Sequence, residues 1–117
     1  MGLIDIGLLS ITEIIGDFAL KKFANTGGMH NLMAGIVGYI GVVYWLIVSL
    51  QGSSILIVNS GWDAMSTLLE SLAAFFILGE RLTDYYQYFG IFLIIIGLFF
   101  LRIPVYRDTS FVFPKLY

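Results

Sequence analysis

Ser10-Ile11-Thr12-Glu13-Ile14-Ile15-Gly16-Asp17-Phe18-Ala19-Leu20-Lys21-Lys22 is apolar enough to sit in a lipid bilayer, yet it carries two carboxylates four residues apart. On a helix, positions i and i+4 share a face, about 40° apart around the axis. An ionisable side chain at bilayer depth costs a few kcal/mol or more. It persists mainly where it faces a bundle interior or a water-filled cavity. The rest of the chain is therefore expected to form a wall around the face that holds Glu13 and Asp17.

Composition points the same way. The 117 residues are 59% hydrophobic and 12% charged, with a mean hydropathy of +0.93. A soluble domain has about 25% charged residues and a smaller apolar share. An integral, multi-pass membrane protein is expected, most simply in a plasma or inner membrane. Neither a basic leader nor a small-residue cleavage pattern precedes the first apolar segment, so Leu3 onward is expected to be a retained helix. The absence of cysteine excludes disulfides and thiolate metal sites. No basic patch suggests nucleic acid. The single histidine, His30, falls in an expected loop and reads as solvated rather than as a ligand.

Four spans emerge, at about Leu3–Leu20, Leu32–Leu50, Ile55–Leu78 and Tyr85–Leu101. Each is close to the ~20 residues that a helical crossing needs. Together they predict an all-α membrane domain over residues 1–103, with four transmembrane helices per protomer. Asn25-Thr26-Gly27-Gly28, Gln51-Gly52-Ser53-Ser54 and Gly79-Glu80-Arg81-Leu82-Thr83-Asp84 are expected turns, with Glu80, Arg81 and Asp84 solvated in the last. The tail, 104–117, mixes Arg107 and Lys115 with Tyr106, Phe111, Phe113 and Tyr117, a composition suited to the membrane interface. Asp5 reads as a solvated charge at the entrance to the first helix.

Three cations (Arg102, Arg107, Lys115) fall on one side of this topology and three (Lys21, Lys22, Arg81) on the other. The positive-inside rule then gives almost no bias. Such small counts carry little information; the sharper reading is insertion in both directions and an antiparallel dimer. Gly35, Gly38 and Gly41 line one side of the second span, and Gly90 and Gly97 one side of the fourth. Small residues let helices approach closely, within a protomer or between protomers.

The third span carries Asn59, Asp63, Ser66 and Glu70 at offsets of 4, 7 and 11, which form one stripe on a helix. Interhelical hydrogen bonding accounts for Asn59 and Ser66 and for the neighbouring Thr67. It accounts poorly for Asp63 and Glu70, because no basic side chain lies within a span to pair with them. Glu13, Asp17, Asp63 and Glu70 are thus candidates for one acidic chamber, bordered by Trp62, with Asn59 and Ser66 of the same stripe as further candidate proton- and substrate-binding residues. Crowded carboxylates repel one another and some are expected to hold protons near neutral pH. A cation and a proton would then compete for the same charge, the minimum requirement for proton-coupled cation exchange. No cofactor and no metal site are expected. A divalent cation would suit the oxygen ligands, but no motif spacing supports it.

At this point the residues resemble a known family. Thr12-Glu13-Ile14-Ile15-Gly16 followed by Lys21 resembles the first-helix pattern of the small multidrug resistance transporters, within the drug/metabolite transporter superfamily. Gly79-Glu80-Arg81-Leu82 resembles that family's turn after helix three, and Gly90…Leu93-Ile94…Gly97 its dimerisation pattern. The resemblance extends to about Ile103. It implies Glu13 as the carboxylate that binds substrate and protons alternately, Tyr39 and Trp62 as binding-site aromatics, and Gly90 and Gly97 at a dimer interface. It also implies an antiparallel dimer, formed with itself or with a paralogous subunit. The run Asp63-Ala64-Met65-Ser66 departs from the family's glycine-containing pattern, and Asn59, Asp17 and Glu70 replace its usual residues. An acid directly after the tryptophan is similar to one subunit of the spermidine-exporting branch.

The expected function is therefore a non-enzymatic, proton-coupled exporter of organic cations, with polyamines ahead of quaternary ammonium compounds and guanidinium. Two alternatives remain. One is a lipid-carrier flippase subunit, which Glu13 disfavours. The other is a non-transporting structural or accessory membrane protein of the same fold.

Overall fold

The structure, a computed structural model, describes residues 2–108 and 110–116. It consists of four helices: α1 Leu3–Thr26, α2 Met29–Leu50, α3 Ile55–Phe76 and α4 Tyr85–Phe100. No strand occurs among the described residues. Each span corresponds to one helix, and the differences lie at the ends. α1 continues past Leu20, so Lys21, Lys22, Asn25 and Thr26 are helical rather than loop residues. The turn to α2 shrinks to Gly27 and Gly28, both with positive φ (73° and 101°), a conformation that glycine adopts at little cost. His30 is consequently in the first turn of α2, exposed, and not in a loop. Ser54 and Asp84 start α3 and α4 by accepting hydrogen bonds from Ile57 N (3.2 Å) and Tyr86 N (2.9 Å).

The α1–α2 seam is built from small residues. A Cβ added to Gly38 would lie 2.7 Å from Gly16 Cα, one on Gly35 2.5 Å from Leu20, and one on Gly41 3.1 Å from Thr12. The α2 glycines therefore serve packing within the chain. Gly90 and Gly97 lie open, since a Cβ on either would meet nothing within 4 Å. Gly97→Ala should accordingly raise the unfolding free energy of the isolated chain by about 0.5–1 kcal/mol through helix propensity, with no packing cost, measured by circular dichroism on heating.

α1 packs against both α2 and α3, whereas α4 packs against α3 alone. Four membrane crossings were expected, but among the described residues only Met29–Leu50 is long and apolar enough for one; Tyr85–Phe100 is apolar but shorter, and α1 and α3, which carry the acids, do not qualify. The start of α1, the α2–α3 turn and the tail meet at one end, as the order of spans requires. There the expectation for Asp5 is wrong. Asp5 is only 6% exposed, accepts from Gly2 N at 3.1 Å, and pairs with Arg107 at 2.9 Å. Burial of a charge requires such a partner, and its partner lies 102 residues away in sequence. The tail is otherwise mostly exposed; Gln51 holds Val112 through Nε2→O (2.7 Å) and N→Oε1 (3.1 Å). Tyr117 lies outside the described residues.

At the opposite end, the turn between α3 and α4 is less free than a solvated loop. Glu80 pairs with Lys21 of α1, and Arg81 lies 3.6 Å above the Phe75 ring while donating to Phe75 O at 2.7 Å.

Candidate functional site

Glu13 and Asp17 stand one turn apart on α1, on the side that also buries Leu9, Ser10 and Gly16. α3 brings Ser66 and Glu70 to them, and α2 brings Tyr39. The three carboxylates Glu13, Asp17 and Glu70 each place an oxygen within 4.8 Å of the other two, and all are half-buried. Ser66 Oγ lies between two of them, hydrogen-bonded to Glu13 Oε1 and 3.4 Å from Glu70 Oε2. A hydroxyl has one proton, so it donates to one carboxylate at a time. Tyr39 Oη donates to Asp17 Oδ1.

Local packing explains why Tyr39 can reach. Gly16 sits between Glu13 and Asp17 in sequence, and a Cβ there would meet the Tyr39 ring at 2.8 Å. The absence of that side chain lets the ring lie across α1 at Gly16, with its hydroxyl on the adjacent Asp17. Tyr39→Phe removes this donor to an acid. Hydrogen bonds to charged groups are worth about 1.5–3 kcal/mol, and part of that is retained through packing. Tyr39→Phe should lower the unfolding free energy by about 1–2 kcal/mol, read by denaturant unfolding followed by circular dichroism.

The other expected site residues divide. Asn59 and Asp63 are exposed and outside the cluster. Val58, Gly61 and Ala64 are the buried positions of α3, on roughly the far side of the helix from Asn59 at 100° per residue. Rotation therefore leaves the whole stripe off the packed face, and position along α3 separates its two halves, with Ser66 against Glu13 and Asn59 and Asp63 nearer the start of the helix. The apolar side of α3 takes the packed position, so the polar stripe is left open, and only its Ser66–Glu70 half meets Glu13. Trp62 borders the stripe; its indole N–H is buried without a hydrogen-bond partner among the described residues. Among those residues the ion pairs are Lys21–Glu80 and Arg107–Asp5, and neither includes a cluster carboxylate. An apolar groove of about 450 Å³, lined by Leu72, Phe75, Tyr88, Ile91 and Ile95 among others, separates α3 from α4 and contains none of the cluster.

Sequence reasoning did not foresee the links from Asp5 to Arg107 and from Gln51 to Val112. The one available signal was an acid in the first turn of a chain whose tail is basic.

No family model, curated protein or solved structure matches the chain.

Proposed function

We propose that the chain is a multi-pass membrane protein of the small multidrug resistance type that exchanges protons for an organic cation, with a polyamine as the first candidate. One observation carries this reading: Glu13, Asp17 and Glu70 gather oxygens within 4.8 Å of one another, with no cation paired to them among the described residues. Such a cluster is balanced by protons or by a positively charged visitor. Several carboxylates at one point suit a ligand with several charges better than a single quaternary ammonium. The resemblance around Glu13 supports the same role for that residue.

A bilayer setting is supported by the side chains that the fold leaves outside. Val37, Ile40 and Val43 on α2 are 58–63% exposed, and Phe89, Phe92 and Leu93 on α4 are 51–56% exposed. Clustered apolar exposure of this kind marks a protein or lipid contact. The half-exposed cluster and the open Gly90–Gly97 side of α4 are consistent with a second protomer completing the chamber. In this mechanism, an entering cation displaces protons from the carboxylates, and protons arriving from the other side displace the cation. Ser66 and Tyr39 offer hydrogen bonds that hold Glu13 and Asp17 in place during the exchange.

The test is proton release on adding spermidine, and separately a quaternary ammonium compound, to the purified protein in weakly buffered detergent near pH 7. Wild type should release protons with spermidine, and Glu13→Gln should not. Absence of release from folded, dimeric wild type would move the assignment to the flippase or structural reading. A second reading is favoured by the same spacing: a divalent cation on the three carboxylates. Proton release by Mg²⁺ or Mn²⁺ that spermidine does not compete away would select it.

A further inference from the structure

The helices that hold the carboxylate cluster are fastened very differently at their two ends. Towards the end of α1 that begins the chain, Ile103 is wedged into the α1–α3 seam. Its Cδ1 lies 2.6 Å from where a Gly61 Cβ would be, and Ile6 Cδ1 lies 3.0 Å from that same point. Ile6 precedes Glu13 by seven residues, two turns along the same side of α1. The wedge thus stands in line with the cluster. The residues after it are tied down one by one. Pro104 O accepts from Leu3 N at 2.7 Å, Val105 O accepts from Ile4 N at 3.1 Å, and Arg107 reaches the buried Asp5. Gly2 is needed for this approach, since a Cβ there would lie 2.6 Å from the Tyr106 backbone.

At the other end α1 is joined to the α3–α4 turn by the Lys21–Glu80 pair, in which both side chains are about half exposed (51% and 45%). Exposed pairs hold weakly, whereas a buried charge left without its partner is strongly disfavoured. One end is therefore bolted and the other only pinned.

We propose that residues 103–107 are a strap that holds the tail-side end of the α1–α3 seam shut, and that it must release Asp5 before the cluster can be reached from that side. The strap rests on the exchange reading for its role, but not for its existence. Each cycle opens the seam by withdrawing Ile103 from Gly61 and unpairing Arg107 from Asp5. The opposite end needs only to break an exposed ion pair.

A reversible tether tests this in one protein. Ile4 N donates to Val105 O at 3.1 Å, so cysteines at these two positions are neighbours for a crosslink, and the chain has no cysteine of its own. Ile4→Cys/Val105→Cys protein in proteoliposomes should exchange protons for spermidine at the wild-type rate when reduced. It should slow at least tenfold when oxidised and recover on reduction. Equal rates in the oxidised and reduced forms would overturn the strap. Hydrogen exchange gives a readout free of transport. In full-length Arg107→Ala the amides of residues 3–9 should exchange at least tenfold faster, with residues 16–24 unchanged. Unchanged exchange over residues 3–9 would overturn the strap whatever the flux. If reduced protein and wild type both fail to exchange spermidine while Arg107→Ala behaves as expected, the exporter reading fails and the strap stands as a structural clasp.

Discussion

In the proposed exchange, Glu13→Gln is expected to lower spermidine affinity by about thirty- to a hundredfold, the largest effect of any single cluster substitution. At an effective dielectric constant near 20, unit charges about 4 Å apart attract by about 4 kcal/mol. A cation held among Glu13, Asp17 and Glu70 lies within such a distance of each, given their 4.8 Å mutual spacing. All three are half-buried rather than sealed, so solvent screening reduces the loss to about 2–3 kcal/mol. At 1.4 kcal/mol per tenfold, that is the stated range. Glu13 should lead because it is the carboxylate held by the Ser66 hydroxyl of α3 and the one at which the proposed exchange is centred. Asp17→Asn and Glu70→Gln should each cost about tenfold, and Glu13→Asp, which keeps the charge on a shorter stem, should lie between wild type and Glu13→Gln. Titration calorimetry in detergent orders the four. A Glu13→Gln affinity within threefold of wild type would remove the cluster from substrate binding.

Gly38→Leu should dismantle the α1–α2 pair. Its Cβ alone would fall 2.7 Å from Gly16 Cα and 2.8 Å from Gly16 N, and both atoms belong to backbone that cannot swing aside. The helices would have to part at the level of Glu13 and Asp17. Overpacking of this kind costs about 1–3 kcal/mol, occasionally more, and at a backbone crossing the upper part of that range applies. The thermal midpoint should fall by more than 10 °C, taking about 4–8 °C per kcal/mol for a chain of this size. Spermidine-evoked proton release should vanish with it, because the Tyr39–Asp17 bond crosses the same seam. For the thermal midpoint of the isolated chain, Gly97→Ala is the control, since a Cβ there meets nothing within 4 Å. A stable, spermidine-responsive Gly38→Leu would mean that the seam is looser than the fold implies.

Much of this protein was legible in its sequence. The number, order and approximate limits of the helices followed from apolar runs broken by Gly27-Gly28, Gln51-Gly52 and Gly79-Glu80, since glycine and small polar residues are where a helix gives way to a turn. Glu13, Asp17 and Glu70 were also legible, because acids without basic neighbours stand out in an apolar helix. Helical spacing alone put Glu13 and Asp17 on one side of α1.

What the sequence could not supply was rotation and long-range pairing. Periodicity places Asn59, Asp63, Ser66 and Glu70 on one stripe, but it does not say which side of α3 the neighbouring helices cover. That depended on Val58, Gly61 and Ala64 taking the packed position, and only the Ser66–Glu70 end of the open stripe lies far enough along α3 to meet Glu13. The α2 glycines looked equally suited to packing within the chain or to a dimer until Gly16 was found opposite Gly38. Asp5 and Arg107 look like two unrelated end charges until the fold brings them to 2.9 Å. Local pattern reports which side chains share a face. Burial is decided by what crosses that face, and only the tertiary structure contains that information.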